Sequence, residues 1–170
     1  MLTPSDFFDL NHPILADLFA DCAFVWEVLP KLETAVARLT HNTQTILGEV
    51  MPGAYLSERP IYIGAGARVE PGAYIHGPAY IAPGAIVRHG AFVRENVIVL
   101  EEAIVGHTTE AKNSLFMPHA HAPHFNYVGD SVLGWHTNLG AGTKLSNLTL
   151  VSEKDVATGK RPTIQLSIDA

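Results

Sequence analysis

Apolar β-branched residues recur at every sixth position between Ile63 and Glu110, and this repeat limits the folds that are open to the chain. The recurring residues are Ile63, Val69, Ile75, Ile81, Val87, Val93, Val99 and Val105. Four positions after each of them stand Ala67, Ala73, Ala79, Ala85, Ala91, Val97, Ala103 and Thr109. Gly or Asn often stands just before this second set, as at Gly66, Gly72, Gly84, Gly90 and Asn96.

Each six-residue unit predicts a short strand followed by a corner, where Gly or Asn tolerates a left-handed backbone. Three units make an eighteen-residue coil, so the repeat predicts a left-handed parallel β-helix. Its inward residues should stack from coil to coil, with Ile63, Ile81 and Val99 in one ladder. Val69, Val87 and Val105 should form another. A β-sandwich would instead show period-two alternation with turns every 8 to 12 residues, a spacing that is not present.

The repeat divides the chain into three parts. Residues 1–45 begin with a glycine-free stretch whose apolar residues recur at three and four, which predicts helices. Pro13 suits a helix start, and Pro30 should kink the second helix or begin a third. We expect this part to cap the open end of the β-helix, which should span residues 46–150. Residues 151–170 are expected to form a C-terminal extension. If the natural chain is longer, further coils would follow this extension.

Composition narrows the classes of function. A net charge of -6, with no cluster of Lys or Arg, argues against a nucleic-acid partner and leaves small anionic ligands open. The single cysteine, Cys22, excludes an internal disulfide framework. Neither a secretory signal nor a membrane-spanning helix is predicted, so we expect a soluble, cytoplasmic protein.

The regular spacing fails after Val105. Leu133 follows Val105 by 28 residues, four more than a multiple of six, and Leu139 and Leu145 then restore the repeat. This break predicts an irregular segment that bulges from the β-helix. It contains Lys112, His119, His121, His124 and Tyr127, and sites are often found on loops that a rigid scaffold supports.

Three basic side chains should stack on one outer face, because His76, Arg94 and Lys112 are spaced eighteen residues apart. The column could be a solvated surface, since Arg and Lys are usually exposed. It could also bind a small phosphorylated ligand, because both side chains pair well with phosphate oxygens. Glu110 could reach either the basic column or a nearby imidazole.

The clustered histidines allow two interpretations. His119 and His124, with His121 between them, could bind zinc. Histidines bind zinc in the hexapeptide carbonic anhydrases, which the chain resembles only in its coil and in the pair His119 and His124. The position two coils before His119, however, is Pro83. Alternatively, His124 could be a general base, since neutral imidazole accepts a proton near neutral pH. We predict no metal site.

Residues 110–147, EAKNSLFMPHAHAPHFNYVGDSVLGWHTNLGAGTKLSN, resemble the acetyltransferase domain of the bifunctional sugar-1-phosphate enzymes. These are the bacterial UDP-N-acetylglucosamine pyrophosphorylase/glucosamine-1-phosphate acetyltransferases and their archaeal sugar-phosphate nucleotidylyltransferase relatives. The shared pattern is a basic residue after Glu, then H-x-x-Y-x-G-D, then N-x-G-A-G-T and a later Asn. The helical start, FFDL followed by VWEVL, is also similar to stand-alone members named as nucleotidyltransferases.

The resemblance implies a role for each matching residue. His124 takes the place of the general base and Glu110 that of the carboxylate beside it, while the backbone N–H of Ala141 faces the developing oxyanion. Arg94 and Lys112 match the phosphate-binding residues. The positions that hold the sugar and its amine are Tyr127, Asn138 and Asn147.

We therefore expect transfer of an acetyl group from acetyl-CoA, as co-substrate, to an amino-sugar 1-phosphate, by a homotrimer. Leu148 stands where the bacterial enzymes have an aromatic residue, and the D-G that follows that residue in them is missing. The given sequence also lacks the later coils that form much of the acetyl-CoA site in the family. A sugar-phosphate-binding paralogue without catalysis is the alternative, and a zinc lyase is a third. No glycine-rich nucleotidyltransferase signature precedes the repeats.

Overall fold

The structure is a computed structural model that describes residues 2–147. Its first part contains three α-helices and one 3₁₀ helix. They are α1 (Pro4–Phe7), α2 (Pro13–Phe19), the 3₁₀ helix (Val25–Lys31) and α3 (Leu32–Leu39). Pro13 occupies the first turn of α2, and Pro30 lies in the 3₁₀ helix just before α3 begins, as the sequence predicted. The predicted extension at residues 151–170 lies outside the described residues, as do positions 148–150.

Short strands follow and build three parallel sheets, here called faces A, B and C. Face A contains β1 (Thr45–Ile46), β4 (Ile61–Ile63), β7 (Ala79–Ile81), β10 (Val97–Val99), β13 (Leu115–Phe116) and β16 (Val132–Leu133). Face B contains β2 (Glu49–Val50), β5 (Arg68–Val69), β8 (Ile86–Val87), β11 (Ile104–His107) and β14 (His121–His124). Face C contains β3 (Tyr55–Leu56), β6 (Tyr74–Ile75), β9 (Phe92–Val93), β12 (Glu110–Lys112), β15 (Tyr127–Gly129) and β17 (Lys144–Leu145).

The predicted left-handed parallel β-helix is confirmed. Ile63 pairs with Ile81, and Ile81 with Val99, which is the first predicted ladder. Val69, Val87 and Val105 pair in the same way and form the second. All of these side chains are fully buried. Burial of one such side chain contributes about 1.5–3 kcal/mol, so the stacked ladders are the main source of stability in the coil.

The predicted bulge after Val105 is wrong, because the coil shortens instead of being interrupted. Val105 pairs with Ala122 and Ala111 with Val128, each seventeen residues apart. The missing residue is at the corner between faces C and A. That corner turns at Asn113 and again at Asp130, which have φ values of 44° and 47°. The segment that the spacing marked as irregular is therefore regular β-helix.

The sequence analysis expected the helices to cover the open end of the β-helix. They instead pack against the outside of face A. Leu15, Leu32 and Val36 form one buried cluster with Ile98 and Leu115 of face A. The indole N–H of Trp135 also donates to the carbonyl of Asp9 at 2.8 Å. Ile98 and Leu115 are outward positions of face A whose apolar side chains need cover. The first coil stays open in the described residues, where Ile46 is 46% exposed.

This packing predicts different costs for two matched substitutions at outward positions. Ile98→Ala should lower the free energy of unfolding by about 2–5 kcal/mol, because Ile98 is fully buried beneath the helices. Ile86→Ala, on face B, should cost about 1 kcal/mol or less, because Ile86 is only partly buried. Denaturant unfolding measures both values. Equal losses would contradict the assignment of the helices to face A.

Candidate functional site

The outer surface of face C carries two parallel columns of side chains. The first column consists of Tyr55, Tyr74, Phe92, Glu110, Tyr127 and Lys144, which pair in sequence through the strands. The second is the predicted basic column of His76, Arg94 and Lys112. The backbone N–H of His76 donates to Val93, and that of Arg94 to Ala111, which sets the three residues one above the other.

Arg94 lies between two carboxylates. Its Nη1 donates to Glu110 Oε1 at 3.0 Å, and its Nη2 is 3.5 Å from Glu95 Oε1. The hydrogen bond to Glu110 raises the pKa of Arg94 above its ordinary value, so the guanidinium stays charged. Sequence reasoning matched Glu110 to a carboxylate beside a histidine. Its hydrogen bond within residues 2–147 goes to Arg94 and not to His124.

Lys112 is the second cation of the basic column and is half-buried. It forms no ion pair with a carboxylate in the described part of the chain, unlike Arg94. Its partner in strand register is Gly129, which has no side chain to cover it. The ammonium group and the remaining guanidinium donors of Arg94 can therefore contact an anion on face C.

Tyr127 and Asn147 lie next to this cation pair. Tyr127 Oη donates to Asn147 Oδ1 at 3.5 Å, a long contact. A Cβ atom added at Gly129 would be 2.6 Å from Tyr127 Oη and 2.8 Å from Asn147 Nδ2. Glycine at position 129 thus leaves the space that the phenol and the amide occupy. The Y-x-G-D motif contained this glycine, but sequence reasoning assigned it no role.

Asp130 links three coils and was also missed as a site residue. Its carboxylate accepts one hydrogen bond from Asn113 Nδ2 at 2.8 Å and another from Asn147 Nδ2. The three residues are spaced seventeen apart, so the shortened coil stacks them at one corner. That spacing was the available signal. Asp130 holds the amide of Asn147 in its orientation on face C.

His124 ends β14 at the corner between faces B and C, with its side chain exposed. Its backbone N–H donates to Asn126 Oδ1 at 3.1 Å, and Asn126 Nδ2 donates to the carbonyl of Gly140 at 2.8 Å. The N–H of Gly142 donates to the carbonyl of His124 at 3.0 Å. Buried Asn126 therefore ties the histidine to the G-A-G-T turn, another role that sequence reasoning missed.

The backbone N–H of Ala141, in that turn, makes no hydrogen bond with residues 2–147. The His124 ring also has no hydrogen-bond partner among them. An exposed imidazole and an available N–H donor thus lie one coil apart at the same corner. The pair can accept a proton and stabilise an oxyanion.

Asn138 is separated from the other predicted site residues. It forms an isolated bridge with His121, which places it on face B with its side chain exposed. Adjacent faces of a three-sided prism point in different directions. One chain therefore brings together Arg94, Glu110, Lys112, Tyr127 and Asn147 on face C, with His124 and Ala141 at its edge, but not Asn138.

The three histidines considered for zinc lie at different parts of β14 and its preceding corner. The His119 ring stacks on that of His136 with centroids 4.7 Å apart, while His121 is on face B and His124 is at the next corner. Among residues 2–147, no group of three or more His, Cys, Asp or Glu residues is arranged to hold a metal ion. Over the same range, no helix has the length and apolar character needed to span a membrane.

Asp130→Ala should lower the free energy of unfolding by about 1–2 kcal/mol, because two amide donors lose their acceptor. Alanine also fits poorly at the positive φ of this corner. Asp130→Asn, which tolerates that φ and keeps one oxygen acceptor, should cost less. Denaturant unfolding tests this order, and equal costs for the two variants would contradict the linking role.

A sequence profile of the family described as "GMPPB C-terminal domain" matches residues 75–168, more than half of the chain. The bifunctional sugar-1-phosphate nucleotidylyltransferase/acetyltransferase of Sulfurisphaera tokodaii is 43% identical over 60 residues, which are 34% of this chain and 15% of that protein. The bifunctional protein GlmU of Methanocaldococcus jannaschii is 43% identical over 44 residues, 26% of this chain and 11% of that protein. The chain thus spans only a small part of these relatives.

Two solved structures are similar in part. A hexapeptide transferase family protein from Anaplasma phagocytophilum aligns with a TM-score of 0.31 and 17% identity, over 65% of this chain and 82% of that chain. The acetyltransferase domain of PglB from Neisseria gonorrhoeae aligns with a TM-score of 0.26 and 16% identity, over 70% of this chain and 62% of that chain.

Proposed function

The chain belongs to the GMPPB C-terminal domain family, and we propose that it is an acyltransferase acting on an amino-sugar 1-phosphate, with acetyl-CoA as co-substrate. One observation carries the proposal. Two cations, a phenol and an amide share the outer surface of face C, next to an exposed imidazole at its edge. The name of the Sulfurisphaera tokodaii relative, which pairs sugar-1-phosphate nucleotidylyl transfer with acetyl transfer, supports the same chemistry.

The proposed role of Arg94 and Lys112 is to bind the phosphate. Lys112 has no carboxylate partner in residues 2–147, and the guanidinium of Arg94 has donors beyond those that contact Glu95 and Glu110. Charge-assisted hydrogen bonds from both would fix one end of the substrate. Glu110 then orients Arg94 across face C. Tyr127 and Asn147 would hold the sugar ring on the neighbouring coils.

The proposed role of His124 is that of a general base. The amine nitrogen of the sugar attacks the thioester carbonyl, a C–N bond forms, and His124 takes the proton that the amine loses. The C–S bond then breaks, and CoA leaves as a thiolate that becomes protonated. The N–H of Ala141, which makes no hydrogen bond within residues 2–147, would stabilise the oxyanion of the tetrahedral intermediate.

Asn138 requires a different explanation, because it is on face B. In the homotrimer that we propose, Asn138 would contact substrate bound to face C of a neighbouring copy. A cytoplasmic location belongs to the same proposal.

His124→Ala should lower the acetyl-transfer rate by about 10²–10⁴-fold, the usual contribution of a general base. The assay follows thiol release from acetyl-CoA in the presence of glucosamine 1-phosphate. His107→Ala is a matched control, because His107 is an exposed histidine paired with His124 in the strand below. It should retain the rate of the unmodified protein. Absence of activity in the unmodified protein, or equal activity in all three, would refute the proposal.

Gly129→Ala should weaken binding of glucosamine 1-phosphate by about tenfold or more, because the added Cβ displaces Tyr127 and Asn147. Titration calorimetry measures the dissociation constant. Gly140→Ala is the control, because its nearest atom would be 3.9 Å away. If Gly129→Ala binds the ligand as tightly as the control does, the sugar is not held at face C.

A second candidate function is sugar-phosphate binding without catalysis. The observation that favours it is the pairing of Glu110 with Arg94, which leaves the His124 ring without an orienting partner in residues 2–147. Under this alternative, glucosamine 1-phosphate raises the melting temperature while no thioester is consumed.

A further inference from the structure

Face C presents an ordered series of chemical groups along the axis of the β-helix. Its first coils carry the aromatic side chains of Tyr55, Tyr74 and Phe92, of which the two tyrosines are exposed. Beside them runs the basic column, with His76 in the coil of Tyr74, Arg94 in that of Phe92, and Lys112 one coil further. Tyr127 with Asn147 occupies the last described coils. The proposed substrate, an amino-sugar 1-phosphate, would use only the second half of this series.

The three aromatic residues are in strand register, and two of their rings stack as a ladder. The Tyr74 and Phe92 rings stack with centroids 5.5 Å apart and planes inclined by 7°. Tyr55, the next partner in register, is 64% exposed, and Tyr74 is 39% exposed. Cross-strand stacking explains why the rings align, but much of their surface stays in contact with water. Exposed aromatic rings of this kind bind planar nucleobases by stacking.

The ladder directly adjoins the basic column. The Tyr74 and His76 ring centroids are 6.1 Å apart, and Arg94 is one coil above His76. Neighbouring strands in a sheet are about 4.8 Å apart, so a ligand that contacts both Tyr74 and Lys112 spans about 10 Å. That reach fits a nucleotide whose base and phosphates lie along the axis.

We propose that the acceptor is an amino sugar linked to a nucleoside diphosphate. The base stacks on Tyr74 and Tyr55, the diphosphate lies along His76, Arg94 and Lys112, and the sugar amine reaches His124. This inference rests on the proposed function and changes only the class of acceptor. Arg94 and Lys112 lie in consecutive coils, so each side chain can contact a different phosphate group of the diphosphate.

Titration calorimetry with UDP, GDP and inorganic pyrophosphate tests the inference on the full chain. Pyrophosphate contacts the cations but has no base. At least one of the nucleotides should bind about tenfold more tightly than pyrophosphate, through stacking of its base. Tyr74→Ala and Tyr74→Leu should abolish this preference and leave the affinity for pyrophosphate unchanged. Tyr62→Ala, which removes a stacked tyrosine from face A, should keep the preference.

Two results would overturn the inference alone. One is a binding result: pyrophosphate binds but neither nucleotide binds more tightly, or the preference for a nucleotide survives in both Tyr74 variants. The other is a sedimentation result: the unmodified protein is an oligomer and both Tyr74 variants are monomers. The ladder would then be covered by a second copy of the chain. If none of the three ligands binds, the phosphate site of the proposed function fails as well.

Discussion

The inward stacking of apolar side chains from coil to coil is the interaction on which the structure depends. Ile63, Ile81 and Val99 form one such ladder, and Phe116 and Leu133 continue it at the shortened coils. Since every inward residue packs against its counterparts above and below, outward positions are free to vary. Face A uses them to bind the helices, whereas face C uses them for polar, charged and aromatic groups.

The six-residue period predicted the fold and both tested ladders, because backbone pairing and inward packing leave a direct trace in the sequence. It could not predict the seventeen-residue coil. A corner shortened by one residue looks like a broken repeat when position alone is counted, although Asn113 and Asp130 turn it without interrupting the sheets. The place where the helices pack was also hidden. Only the apolar outward positions of face A, such as Ile98 and Leu115, indicate it.

The candidate site is organised by hydrogen bonds between coils. Resemblance named the candidate site residues, and spacing predicted the stacking of His76, Arg94 and Lys112, which lie on face C. The residues that hold them were missed: Asp130 orients Asn147, and Asn126 ties His124 to the turn that contains Ala141. The contacts of Asn126 with Gly140 and of Asp130 with Asn147 join residues fourteen and seventeen positions apart, so they become visible only when the register is known. Resemblance can also name a residue that lies apart from the others: Asn138 matches the motif but lies on face B.

The central claim is that the outer surface of face C is the acceptor site, and a crystal structure with glucosamine 1-phosphate bound tests it most directly. The measurement is the set of distances from the phosphate oxygens to Arg94 and Lys112. The account predicts hydrogen bonds from both side chains, with the sugar against Tyr127 and its amine directed toward His124. Phosphate bound elsewhere, for example in the groove between the helices and face A lined by Arg38 and Tyr62, would contradict it.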